Sequence, residues 1–358
     1  MSKILKACLY DPYLNTLGGG EKYFFNLVET LCNANYQVDI IWNGDHNILN
    51  QAERRFNLNL SKVKFIRSQI FSQGHLFQKF FFLQKYDLSL VISDGSIPWL
   101  FARKNYLHFQ VPFRHHSSLL DKLKLALIQK IICNSKFTEN YIKLQYITQN
   151  TAVLYPPIDL PSKPTTTLKG QQILSVGRFD NILNTKRHDI LIQAFKEFYK
   201  TNKQYKLILA GGSIDTSSEY INKLKSSVAK LPVELKFNIT TDELITLYQN
   251  SSIYWHAAGY GVDEKTNPEN TEHFGISIVE AMSYGCVVFA PQKGGIKEII
   301  NNQKNGYFYE TFKELASKTN NYVQQNNPNQ IRTQAIKTSK LFEKDNFVKN
   351  FKKIINEE

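Results

Sequence analysis

Short apolar, β-branched runs alternate with longer segments of helical period along this chain. ILKACLY (4–10) reads as a first strand, followed by a helix from about Gly20 to Ala34 and then a strand QVDIIW (37–42). LSLVIS (88–93), NYLHFQV (105–111), KIICNS (130–135) and TAVLYP (151–156) are further strands of the first half. This alternation predicts parallel sheets covered by helices. It breaks at 156–170, PPIDLPSKPTTTLKG, where four prolines and three consecutive threonines carry no apolar period, as expected of a linker.

Beyond the linker the pattern restarts with QILSVGR (172–178), a helix from about Lys186 to Tyr199, and KLILAGG (206–212), then LKFNI, SIYWHA and CVVFAP with helices between them. Residues Asp345 to Asn356 read as an amphipathic helix with Phe347, Phe351, Ile354 and Ile355 on one stripe. The expected organisation is an α/β domain over 1–157, a linker over 158–170, a second α/β domain over 171–340 and a terminal helix within 341–358.

Composition agrees with two domains, because 358 residues with 42% apolar content suffice for two separate cores. Cys8, Cys32, Cys133 and Cys286 are widely spaced, form no CxxC pair and sit mostly in apolar runs, which fits a reducing compartment. Lys3 and Lys6 resemble the start of a signal peptide, but the apolar stretch around them is short and ends at Asp11-Pro12. No apolar run reaches the roughly 18 residues needed to span a bilayer. A cytoplasmic protein is expected, with attachment to the inner membrane face as a further option.

The net charge of +13 favours anionic partners: nucleic acid, anionic lipid or phosphorylated ligands. Part of it follows simply from a lysine- and asparagine-rich composition. Two segments of the first half, FSQGHLFQKFFFLQKY (71–86) and FRHHSSLLDKLKLALIQKI (113–131), combine basic residues with aromatic and leucine stretches. They fit the core packing of ordinary helices, or the docking of amphipathic segments on an anionic membrane.

Three places carry candidate chemistry. Gly18, Gly19 and Gly20 follow the first strand and open a helix, where close backbone approach and exposed N–H groups favour an anion, although a glycine turn there is also an ordinary tight connection. Arg178 lies just past a strand and Lys186 at the start of the next helix, so both fall at the edge of a parallel sheet where open α/β folds bind ligands. Two converging cations there suit a diphosphate; the alternative is a pair of solvated surface charges. In EHFGISIVEAMSYG, a helix beginning near Gly275 directs the N–H groups of Phe274, Gly275 and Ile276 toward a phosphate, with Glu272 before the helix and Glu280 inside it.

Together, in this order, these elements resemble a retaining glycosyltransferase of the GT-B fold, in the large family-four group (glycosyl transferases group 1), over nearly the whole chain. The resemblance implies two Rossmann-like parallel-sheet domains facing each other across a cleft, with the C-terminal helix packing back on the first domain. Within it Glu272 and Glu280 form the Glu-x7-Glu motif. Glu280 is then expected to bind the ribose of the donor nucleotide, Glu272 the hydroxyls of the transferred sugar, and Arg178 and Lys186 the diphosphate. Gly19 and Gly20 match the glycine loop that faces the donor. His108 matches a histidine near the sugar's reactive carbon.

The sequence also departs from the pattern. Seven residues separate Arg178 from Lys186, where five are common, which makes Arg187 an alternative to Lys186. His273 replaces a common proline, and EHFG is similar to mannosyltransferases that use GDP-mannose. The segment GYGVDEKTNPENT (259–271) is longer than usual and is expected to act as a lid; its Asp263, Glu264 and Glu269 lack the alternating spacing of a calcium loop. His115, His116, His188 and His256 have ordinary readings as polar loop, helix-start or packed strand residues.

The expected function is transfer of a hexose, with mannose as the candidate, from a GDP- or UDP-sugar to a saccharide or lipid-linked saccharide. No metal or other cofactor is expected, and nucleic acid is not an expected partner. The rival readings are a non-catalytic nucleotide-sugar-binding protein, a DNA-modifying glucosyltransferase of the same fold, and a sugar-nucleotide epimerase.

Overall fold

The computed structural model describes residues 4–14, 17–113, 118–161, 169–179, 185–324 and 329–356. The expected histidines His115 and His116, and residues 162–168 of the proline- and threonine-rich linker, lie outside these. The chain divides into two compact units: Met1–Pro157 with Lys344–Glu358, and Ile158–Glu343.

The first unit holds seven strands: β1 (Leu5–Tyr10), β2 (Tyr36–Ile41), β3 (Val63–Ile66), β4 (Leu88–Ile92), β5 (Lys104–Phe109), β6 (Lys130–Cys133) and β7 (Thr151–Val153). Their order in the sheet is β3-β2-β1-β4-β5-β6-β7, and every pairing is parallel. The central strands are buried on both faces, which is why LKACLY and LSLVI read as continuous apolar runs. One face is covered by helix Gly19–Asn33 and by the terminal helix Lys344–Asn356. Phe347, Phe351, Ile354 and Ile355 all enter the first unit's core. Phe347 meets the Tyr23 ring edge-on at 5.3 Å, Lys344 pairs with Glu29 at 2.7 Å, and the Tyr106 hydroxyl donates to the Ile355 carbonyl. The terminal helix therefore returns to the first unit, as expected.

The second unit is a six-stranded parallel sheet: β8 (Gly170–Val176), β9 (Lys206–Gly211), β10 (Val233–Phe237), β11 (Ser251–Trp255), β12 (Val287–Pro291) and β13 (Tyr307–Tyr309), in the order β10-β9-β8-β11-β12-β13. β3 and β13, of 4 and 3 residues, are strands that apolar period alone does not announce. Ile158 opens the unit from inside the expected linker; its N–H donates to the Phe342 carbonyl, and Phe342 packs on Phe274.

In each unit the chain winds outward from a central strand in one direction and then starts again on that strand's other side. The crevice between the two directions lies at β1/β4 in the first unit and at β8/β11 in the second. Such switch points are where open parallel sheets bind ligands, beyond the carboxyl ends of the strands.

Candidate functional site

The second unit brings Lys186 and Glu272 together near the β8/β11 switch point. β8 ends at Val176 and hands over to Gly177 and Arg178; Arg178 is exposed. Lys186 precedes the helix His188–Phe198, and its stem crosses the backbone of Gly177 so closely that a Cβ there would stand 2.4 Å from Lys186 Cγ. Glycine at 177 is thus what lets the lysine reach across. Lys186 Nζ donates to Glu272 Oε2 at 2.7 Å. Arg187 is turned elsewhere: its guanidinium grips Asp189 through two bonds of 3.0 and 2.9 Å and donates to the Tyr260 carbonyl. Of the two basic residues, Lys186 is the one that meets the Glu-x7-Glu motif.

Glu272 sits in the turn before helix Ile276–Ser283. Its Oε2 takes a second neighbour, His256 Nε2, at 2.9 Å. Burial alone would raise the carboxyl pKa, but Lys186 and His256 overcome it and hold Glu272 well below the usual carboxylate range. The turn is braced from behind, where the Gly295 N–H donates to the Glu272 carbonyl at 2.8 Å. Gly294 has φ +58, and a Cβ there would lie 2.1 Å from the Glu272 carbonyl oxygen, so only glycine fits. Burial lowers the pKa of His273 to about 4, against the opposing charge of Glu272; its Nε2 lies 3.1 Å from the Glu269 carbonyl.

Gly275, at φ +113, is the cap of the motif helix. The Phe274 ring is buried against Phe342, so its side chain anchors the turn while the backbone opens the helix. The first N–H groups of a helix lack intrahelical partners and carry partial positive charge, which puts an anion-favouring end at Gly275 and Ile276. Glu280 lies one turn further along and accepts from the Tyr248 hydroxyl at 3.1 Å. The buried Tyr254 hydroxyl binds both Val176, at the end of β8, and Ser277 Oγ at 2.8 Å, so one phenol fixes the strand end to the motif helix.

His256, Tyr248, Tyr254 and the Gly294-Gly295 turn are site residues that sequence reasoning did not single out. The available signal was position: His256 directly follows the strand SSIYW at the switch point.

Around the long segment 259–271, Glu264 accepts from Gly294 N–H at 2.9 Å and pairs with Lys297 at 2.6 Å, while Asp263 accepts from Lys265 N–H and Thr266 Oγ1. These acids are engaged with protein donors. Among the described residues no group of three or more His, Cys, Asp or Glu is arranged to hold a metal.

In the first unit, Gly19 and Gly20 open the helix after β1, as expected. Gly18 N–H is taken by the Glu21 carboxylate at 2.9 Å, and Gln110 Nε2 donates to the Gly20 carbonyl. Asp11, in the same loop, is buried, and burial raises its pKa to about 7; the Tyr13 N–H opposes this and Glu21 adds to it. His108 lies on β5 of this unit. It is fully buried, stacks on Tyr23 at 4.4 Å, and its Nδ1 lies 3.0 Å from the Ile132 carbonyl. A carbonyl only accepts, so Nδ1 carries the proton; burial lowers the pKa to about 3 and keeps the ring neutral. Its other nitrogen, Nε2, is buried and meets no hydrogen-bond partner among the described residues.

The segments 71–86 and 113–131 are also not core helices. In helix Leu76–Leu83 only Leu83 is buried, and in Leu119–Leu125 only Asp121. Phe77, Phe81 and Leu119 are 76%, 71% and 75% exposed.

Two parallel-sheet α/β units of the GT-B fold, with cations and a helix start gathered at a switch point beside a Glu-x7-Glu motif, define a glycosyltransferase. Comparison with known proteins narrows this: the sequence model of the family described as "Glycosyl transferases group 1" matches residues 159–340, and the chain belongs to that family. Among its relatives is the Mus musculus GDP-Man:Man(3)GlcNAc(2)-PP-Dol alpha-1,2-mannosyltransferase, 24% identical over 373 residues, covering 81% of this chain and 73% of the relative. An uncharacterized glycosyltransferase of Haemophilus influenzae is 22% identical over 316 residues, covering 83% and 84%. Among solved structures, a glycosyltransferase from Rickettsia africae superposes with a TM-score of 0.75 at 17% identity over 99% of both chains. An Anabaena protein in complex with UDP and glucose superposes with 0.74 at 19% identity, over 98% of this chain and 99% of that one.

Proposed function

We propose that this glycosyltransferase moves a mannosyl residue from GDP-mannose to a lipid-linked saccharide with retention of configuration, through the site built on Glu272. The observation that carries the reading is the Lys186–Glu272 pair at the β8/β11 switch point. Breaking the bond to the nucleotide leaves negative charge on the diphosphate and positive character at the anomeric carbon. Arg178, Lys186 and the helix start at Gly275 and Ile276 answer the first. Lys186 has three donors and uses one on Glu272, which leaves two for phosphate oxygens. These groups supply the positive charge without a metal.

Glu272 is a binding residue in this scheme. A carboxylate held this far below its usual pKa is a weak proton acceptor, which supports a role in binding sugar hydroxyls over that of a general base. Glu280, oriented by Tyr248, binds the ribose.

The mannosyl donor rests on sequence relatives whose names specify GDP-Man and a PP-Dol-linked acceptor, in mouse, human and Xenopus tropicalis. Uridine donors are the competing class, because UDP occupies the Anabaena structure of the same fold.

A lipid-linked acceptor fits the exposed helices of the first unit. Phe77, Phe81, Leu119, Leu120 and Leu123 stand out to solvent beside Lys79, Lys85, Lys122 and Lys124. Burial lowers the pKa of Lys79, and the charge of Lys124 adds to it. The one acid here, Asp121, is buried and accepts from Ser118. Apolar tips ringed by lysines suit an anionic bilayer surface.

A thermal-shift comparison of GDP-mannose, GDP, UDP-glucose and UDP tests the donor, since a ligand that binds the folded state raises its melting temperature. Stabilisation by GDP-mannose above the uridine ligands is expected; the reverse order overturns the mannosyl reading. Sedimentation with anionic and zwitterionic vesicles tests the surface: binding to the anionic set, lost in Phe77→Ser/Phe81→Ser, is expected, and no binding at low salt removes it.

A further inference from the structure

Glu272 has two carboxylate oxygens, and the protein occupies one of them twice. Lys186 Nζ at 2.7 Å and His256 Nε2 at 2.9 Å both meet Oε2, and no described residue meets Oε1. His256 is itself held rigidly. Its N–H donates to the Phe289 carbonyl at 2.9 Å, its own carbonyl accepts from the Tyr309 hydroxyl at 2.6 Å, and it is 1% exposed. The neighbouring strands β12 and β13 thus hold the backbone of residue 256 from both sides, and its ring leaves a fixed Cα. A carboxylate only accepts, so the 2.9 Å approach places the proton on Nε2, with the N–H off the ideal hydrogen-bond line.

We infer that His256 is a positioning residue that sets the rotation of the Glu272 carboxylate, so that Oε1 is the oxygen offered to the transferred sugar. The inference rests on the proposed role of Glu272 in binding sugar hydroxyls. Lys186 alone does not fix this angle, because an ammonium on a flexible stem follows the carboxylate as it turns and also serves the diphosphate. The imidazole, on a strand end with two χ angles, cannot follow. Its contribution falls on the sugar half of the donor and leaves the nucleotide half untouched, since Glu280 and the motif helix start are held by Tyr248 and Tyr254. That separation gives the role a signature that loss of packing does not share.

The test measures the affinity of GDP-mannose against GDP, and of UDP-glucose against UDP, in wild type, His256→Phe, His256→Gln, His256→Asn and Glu272→Ala. His256→Phe keeps the ring and removes the donor; His256→Gln restores an N–H near the position of Nε2; His256→Asn folds like Gln but is too short to reach Oε2. For the nucleotide sugar that binds wild type, the expected result is at least a tenfold loss of its advantage over the bare nucleotide in the Phe and Asn variants. GDP or UDP alone should bind within threefold of wild type, and the Gln variant should recover most of the advantage.

An unchanged advantage in both Phe and Asn overturns the inference. Equal weakening of bare nucleotide and nucleotide sugar overturns it too, by showing a scaffolding role. Glu272→Ala separates this failure from that of the underlying reading: if Glu272→Ala itself keeps the full advantage, Glu272 does not bind the sugar. If it loses the advantage while His256→Phe and His256→Asn keep it, only the role of His256 falls.

Discussion

Lys186 Nζ and Glu272 Oε2 lie 2.7 Å apart across 86 residues of sequence, with side chains only 18% and 12% exposed. Removing one member of a largely buried pair leaves the other charge uncompensated, at a cost of about 3 kcal/mol. Lys186→Ala should therefore lower the urea midpoint substantially. The double variant Lys186→Ala/Glu272→Gln should recover most of that loss while sugar transfer stays at least 100-fold down. A double variant as unstable as Lys186→Ala would show that packing, and not charge, sets the effect.

Tyr248 donates to Glu280 from a buried position. Tyr248→Phe keeps the ring and removes the bond, with an expected stability loss of about 1 kcal/mol. Loss of this bond should weaken donor binding, so KM for the nucleotide sugar is expected to rise about three- to tenfold with kcat changed less. Steady-state kinetics on both constants check this, and a change in kcat alone would contradict the assignment of Glu280 to binding.

Gly294→Ala combines a φ of +58 with a Cβ 2.1 Å from the Glu272 carbonyl oxygen. The obstacle is backbone and cannot rotate away. The variant should lose roughly 2 kcal/mol or more and most of its transfer activity, because the turn carrying Glu272 must move. Gly261→Ala, where an added Cβ meets nothing within 4 Å, is the control for positive φ alone, at +73, and should cost less in a thermal melt.

Buried histidines make the fold sensitive to acid. Burial lowers the pKa of His108 to about 3, of His188 to about 3 and of His273 to about 4, against 6.5 for the ordinary side chain. Below pH 6.5 the unfolded chain therefore binds protons that the folded chain refuses, and stability falls as pH drops toward 4. Each such histidine contributes a slope of about 1.4 kcal/mol per pH unit in that window. Urea melts of wild type and His188→Phe at pH 7, 6 and 5 check the sign, with a shallower loss expected in the variant.

Asp11 acts in the opposite direction. Burial raises its pKa to about 7 from 3.8, so between those values the folded state holds a proton that the unfolded state has released, and stability falls as pH rises. Asp11→Asn mimics the protonated form. It should stabilise the protein at pH 8 by about 2–4 kcal/mol, and the gap should close as pH approaches 4. A gap that does not vary with pH would show that Asp11 is not the titrating group.

Much of the architecture was legible from local pattern. Short apolar, β-branched strands between helices of period 3.6 imply parallel sheets with helical cover, and strand boundaries such as Leu88–Ile92 and Lys206–Gly211 follow the apolar runs closely. The motif Glu272-His273-Phe274-Gly275 through Glu280 was visible because its glycine, apolar stripe and two acids are contiguous. The stripe Phe347, Phe351, Ile354, Ile355 likewise announced a helix that needs a partner surface.

What tertiary structure alone decided is which distant groups meet and which apolar groups stay uncovered. His256 and His108 both sit at or beside strands in apolar company. One lies at a switch point next to a carboxylate, while the other is stacked between Tyr23 and the sheet. Nothing local distinguishes them, because the difference is made by residues far along the chain. Helix Leu76–Leu83 teaches the same from the opposite side. LFQKFFFL is apolar enough for a core, yet only Leu83 is buried. Hydrophobicity states a preference for burial, and whether it is met depends on what the fold brings to cover that face.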